Sequence, residues 1–144
     1  MEMHKGLVGT AFLGLILSGY LFIAYVSPEP IACISGEGCK AAQLSKYASF
    51  LNIPTPAYGM IFYLTLGMLG ALWAESTKKK LLPYLIALVG SGFAVSAFLT
   101  SIEAFVLKAW CSWCVASAIL VVIASMMTVQ LVLKNKQQSY GTNI

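Results

Sequence analysis

The sequence predicts an all-α integral membrane protein, a bundle of four transmembrane helices. Three observations predict it. Apolar residues make up 59% of the 144-residue chain and charged residues only 10%, against roughly 25% charged in an average soluble domain. The apolar residues fall into four long segments with almost no charge inside them. Between the first two segments lies the longest polar stretch, a long outer loop predicted to carry a short amphipathic helix.

The chain is short enough to form one membrane domain over 1–144. Its first span is predicted at 6–26, twenty-one residues without a charge, which at about 1.5 Å each covers a ~30 Å hydrocarbon core. Lys5 precedes it, as in a cleaved leader, but the apolar run is long for a leader and no small-x-small site follows it. A retained span is therefore expected.

The outer loop runs over 27–56. Pro28 and Pro30 stop the first helix, and Gly36 and Gly38 mark a turn. From Lys40 to Asn52, Ala41, Leu44, Tyr47, Ala48 and Leu51 recur at helical spacing, which predicts a helix lying on the membrane or capping the bundle. Ile53 to Pro56 is predicted to be a rigid lead-in to the next span, because each proline fixes its own φ and disfavours α for its predecessor. The second span is expected at 57–74, the short connecting loop at 75–80, the third span at 81–107 and the fourth at 110–133. The polar tail, 134–144, is expected to be disordered.

Orientation follows from the nine lysines; the chain has no arginine. Lys5, Lys78, Lys79, Lys80, Lys134 and Lys136 share one side, and Lys40, Lys46 and Lys108 the other. Six against three predicts a multi-pass protein of the cytoplasmic membrane with both termini and the 75–80 loop inside. The lone lysine run is too short and too enclosed by apolar sequence to predict nucleic-acid binding.

That topology puts Cys33, Cys39, Cys111 and Cys114 on the outer, oxidising side. Cys111 and Cys114 form a C-x-x-C at a helix start, so both sulfurs share a face and the helix N-terminus favours a thiolate. Cys33 and Cys39 flank a glycine-containing loop. A mobile pair beside a fixed pair is what a thiol–disulfide relay requires, because exchange passes through mixed disulfides. Static disulfides stapling the outer loops of a non-enzymatic scaffold or carrier compete with this reading. A four-thiolate zinc site is a weaker competitor, since C-x5-C is a poor second half and the compartment disfavours free thiolates.

The arrangement resembles the vitamin K epoxide reductase family, in its bacterial and archaeal members. The features that carry the resemblance are the loop pair, the C-x-x-C opening the fourth span, and the stretch from Cys39 to Pro54 with Ser45, Tyr47-Ala48 and Ile53-Pro54, together with Gly59 and Phe62-Tyr63. The DsbB family also has four spans but carries its two cysteine pairs in the opposite order. The resemblance implies that Cys33 exchanges with a thioredoxin-like (DsbA-like) protein, that Cys39 passes electrons to Cys111, and that Cys114 faces a membrane quinone. The acceptor would be ubiquinone, menaquinone or a related naphthoquinone, with no metal. With eleven residues after the fourth span, the thioredoxin-like partner is expected to be a separate protein. Ser45, Thr55 and Gly59 match positions near the disulfides and the quinone, and Phe62 falls beside them. Trp113 is a belt aromatic or a wall of the quinone pocket. Animal members carry a tyrosine where this chain has Ala118, so a naphthoquinone epoxide is not the expected substrate. Glu103, in the outer third of the third span, is either a proton relay or a side chain paired with Lys108.

Overall fold

A computed structural model describes residues 2–27, 33–34, 36–73 and 78–141. Helix α1 spans Glu2–Val26, a short α2 Gly38–Gln43, and strands β1 (Ser49–Phe50) and β2 (Ile53–Pro54) form a hairpin. Helix α3 covers Thr55–Trp73 and α4 Lys78–Ile102, followed by a π-helical turn over Glu103–Leu107, and α5 covers Ser112–Gly141. The four long helices are each long and apolar enough to cross a membrane. They form a ring in which α1 packs on α3 and α5, and α4 packs on α5 and, more sparsely, on α3. Pro28, Pro30 and residues 75–77 of the predicted 75–80 loop lie outside the described residues, while Lys78, Lys79 and Lys80 open α4 instead of completing that loop.

The closest helix pair, α1 with α3, is built on small residues. Contacts step along the two helices in opposite directions. Gly70 meets Leu7, Gly67 meets Ala11, Gly14 meets the Tyr63 ring, and Gly59 meets Ser18. Small side chains let two backbones approach, and in lipid, where apolar surface has no water to escape, that packing is what holds helices together. The core of the bundle is Leu7, Ala11, Tyr63, Leu66, Leu85, Val89, Val121 and Ala124. Phe12, Ile16, Ile23, Ile61, Phe98 and Met126 stay exposed on the outer surface of the ring, where acyl chains cover them.

Two elements differ from expectation. The loop helix is short, and the residues after it turn back instead of continuing. Ser45 donates its hydroxyl to the Ala42 carbonyl at 2.7 Å, a side-chain bond that competes with the helical ladder. Leu51 and Asn52 then take φ of 53° and 63°, as a two-residue hairpin turn of the primed type requires. The apolar stripe read at helical spacing is therefore not one buried face: Leu44 and Leu51 are both exposed. The second difference is the tail, which continues α5 to Gly141 rather than ending near Leu133. Residues 134–140 contain neither proline nor glycine, so nothing interrupts the ladder before Gly141.

Candidate functional site

At the end of the bundle beneath α2 and the hairpin, a cavity of about 330 Å3 opens between the helices. Cys39, Cys111 and Cys114 all line it, so one cysteine of the loop pair and both of the C-x-x-C reach one space. Each wall is set by a local device.

The loop pair is closed as a Cys33–Cys39 disulfide, with Cα atoms 6.0 Å apart. Cys39 is buried on α2. What seats α2 is Gly38, whose missing Cβ leaves room for the Trp110 backbone; any side chain there would overlap the Trp110 carbonyl oxygen. Since Trp110 directly precedes Cys111 in the chain, this contact is what brings the two pairs together.

Cys111 lies in the turn before α5 and serves as its cap. Its carbonyl accepts from the Val115 N–H at 3.0 Å, and its Sγ accepts from the Cys114 N–H at 3.4 Å. The Trp113 N–H also bonds it. The helix N-terminus offers these unpaired N–H groups to whatever charge lies there. The hydrogen bond from the Cys114 thiol, foremost, and these backbone donors hold the Cys111 thiol below its usual pKa, against the opposing effects of burial and the Glu103 charge. Cys111 and Cys114 are both free thiols.

Glu103 completes the group. It is only 7% exposed and opens the π-helical turn. Its carboxylate accepts from the Cys111 backbone N–H and is hydrogen-bonded to the Cys114 thiol. Its carbonyl accepts from the Lys108 and Ala109 N–H groups, and Lys108, in the left-handed conformation with φ 48°, turns the chain towards Cys111. Lys108 is exposed, and the partners of the Glu103 carboxylate are the cysteines.

Of the other residues singled out from sequence, Ser45, Thr55, Gly59 and Phe62 line the same cavity. Thr55 is tied to the loop: its hydroxyl reaches the Tyr47 and Ala48 carbonyls at 3.0 and 2.9 Å, and its N–H bonds Ala48. The Cβ position of Gly59 points at the Ser18 hydroxyl, 2.8 Å away, so a side chain there would push the Ser18 hydroxyl aside where α1 approaches. Phe62 lies over Gly92 of α4 and meets Tyr63 edge-on at 5.2 Å.

Trp113 departs from the pocket-wall reading. It is not among the lining residues; its ring packs at a tilt of 52° against Tyr20 of α1, with centroids 5.2 Å apart. One residue before Cys114 is about 100° round a helix, so a chain that aims Cys114 into the cavity aims Trp113 at α1.

Tyr63, the second residue of the Phe62-Tyr63 pair, joins two helices beside the site. Buried at 2% exposure, its hydroxyl bonds the Ser117 carbonyl and hydroxyl at 3.2 and 3.1 Å, locking α3 to α5 just below the thiols. A tyrosine in an apolar run whose partner, Ser117, lies fifty-four residues away in sequence leaves no local signal of that bond.

The family model of the vitamin K epoxide reductase family matches residues 6–129, from the first turns of α1 to near the end of the apolar part of α5. That range contains all four cysteines and every lining residue named above.

Proposed function

Because the chain belongs to the vitamin K epoxide reductase family, a family of thiol–disulfide oxidoreductases that use a quinone as electron acceptor, we propose that it generates disulfides outside the cytoplasm. It would oxidise a thioredoxin-like dithiol protein and deliver the electron pair to a membrane quinone in the cavity. The observation that carries this reading is the convergence of Cys39, Cys111 and Cys114 on one cavity.

The electron path has three exchanges. A dithiol of the partner attacks Cys33 and reduces the Cys33–Cys39 disulfide, leaving the partner oxidised. The Cys39 thiolate then attacks Cys111 in an oxidised Cys111–Cys114 pair, and Cys33 resolves the mixed disulfide, which restores the loop bond. The resulting Cys111–Cys114 dithiol gives two electrons and two protons to the quinone and closes as a disulfide. An enzyme with its loop pair joined and its inner pair free would stand before this last step. The apolar lining contributed by Phe62, Val95, Leu99 and Val121 suits a quinone ring. Ser45, Thr55 and Gly59 would bound its headgroup at the loop side, Thr55 by fixing the hairpin that roofs the cavity. Trp113 would act through its contact with Tyr20, holding the start of α5 against α1. The lysine distribution supports placing this end of the bundle outside.

The test is quinone reduction by the purified protein in detergent with a reduced thioredoxin-like donor. Cys114→Ala is expected to abolish quinol formation. Cys33→Ala is expected to block oxidation of the protein donor while a small dithiol still drives turnover. Native-rate oxidation of the protein donor by Cys33→Ala would overturn the assignment of roles.

A further inference from the structure

We propose that Glu103 is a catalytic residue, the proton carrier between the Cys114 thiol and the quinone. This rests on the proposed quinone reduction and adds a group to it that the cysteine chemistry alone does not contain.

Three observations converge on it. The carboxylate is buried at the end of a membrane-spanning helix, where an ionisable side chain is costly and survives only with partners. Its partners are the reacting groups themselves, the Cys114 thiol and the backbone N–H of Cys111. It also lines the cavity, and among the described residues it is the one carboxylate there, with no lysine or histidine in the lining. The π-helical turn that begins at Glu103 is a costly departure from the α-helix, of a kind that recurs where a side chain must be re-aimed at a functional centre.

The chemistry needs such a group. Oxidising two thiols with a quinone breaks both S–H bonds, forms one S–S bond, and puts two electrons and two protons on the quinone to give quinol. The Cys114 thiol has one proton and two acceptors beside it, the Cys111 sulfur and the Glu103 carboxylate. Glu103 takes that proton as the Cys114 sulfur donates electrons, then gives it to the quinone oxygen on which negative charge develops, and ends as it began. The Cys111 proton reaches the second oxygen through solvent. Tyr25 of α1, Tyr47 of the loop, Tyr58 and Tyr63 of α3 and the bonded Cys39 are the other titratable types in the lining. None of them offers the carboxylate oxygens that bond both the Cys114 thiol and the Cys111 N–H.

The proposal is tested by single-turnover quinol formation from pre-reduced enzyme across the pH range, comparing wild type with Glu103→Gln. Glutamine keeps an oxygen for the Cys111 N–H but cannot carry the proton. Quinol formation is expected to fall about 100-fold or more, in the range of lost general acid–base catalysis, and to lose the low-pH decline of the wild type. Exchange between the Cys33–Cys39 disulfide and a small dithiol should be unchanged. Glu103→Ala, with formate added to the vacated space, should regain part of the rate, and this rescue reports proton transfer even where the glutamine variant is poorly folded. Wild type active and Glu103→Gln equal to it at every pH, or Glu103→Ala folded yet not rescued, would overturn the role of Glu103 alone. A wild type that reduces no quinone would overturn the underlying reading instead.

Discussion

Replacing Gly38 with alanine should slow electron transfer between the two cysteine pairs without touching any cysteine. A Cβ at Gly38 would overlap the Trp110 carbonyl oxygen and crowd its carbonyl carbon at 2.9 Å and nitrogen at 3.2 Å. All three are backbone atoms, so no flexible side chain can swing aside. Either α2 lifts or the turn carrying Cys111 moves. Overpacking of this kind costs about 1–3 kcal/mol, and if that cost falls on the docked state, the docked population drops about 5- to 150-fold. Cys39 must meet Cys111 for transfer, so the rate should fall by the same factor. Gly36 is the control: its φ of 82° strains an alanine, but nothing lies within 4 Å of its Cβ position, so Gly36→Ala should disturb the loop and leave docking intact. The assay is rapid-quench thiol labelling after mixing oxidised enzyme with a reduced thioredoxin-like protein, which enters only through the loop pair, reading the appearance of free Cys111 and Cys114. Native-rate transfer in Gly38→Ala, or an equal defect in Gly36→Ala, would refute the claim that this contact seats the relay.

Two further predictions follow from the same site. The Cys111 thiol is held low chiefly by the Cys114 hydrogen bond, so its thiolate persists to lower pH than an ordinary cysteine's. Cys114→Ala should move the alkylation profile of Cys111 by a small reagent to higher pH; a profile unmoved by the variant would show that the backbone donors of α5 suffice, with Glu103 opposing in both proteins. Tyr63→Phe removes the bonds to Ser117 that tie α3 to α5 and should cost about 0.5–1.5 kcal/mol, measured as a lower unfolding midpoint in detergent at unchanged thiol count. An unchanged midpoint would mean that the apolar contacts of the ring alone fix that pair.

Much of the molecule is legible from the chain because the bilayer imposes it. Four apolar runs of spanning length leave few folds, since every backbone group inside lipid must be paired within its own helix. The loop pair and the C-x-x-C are equally plain, because each is local in sequence. The loop after α2 is not. Its apolar positions fit a helical repeat, yet the Ser45 hydroxyl and the hairpin turn at Leu51-Asn52 end the helix at Gln43, a local competition that periodicity does not weigh. The polar tail misleads in the other direction, since low hydropathy says nothing about whether an uninterrupted helix stops.

What the amino-acid sequence by itself determined is the class of the protein, the four spans, the two cysteine pairs and the family. What only the tertiary structure decided is how they meet. The seat of Gly38 on Trp110, the lock of Tyr63 on Ser117, the turning of Trp113 towards Tyr20 and the placement of Glu103 against Cys114 are contacts across distant elements. Each depends on the azimuth at which one helix face meets another. Helical periodicity fixes which residues share a face, but the packing of small residues between helices fixes where that face points.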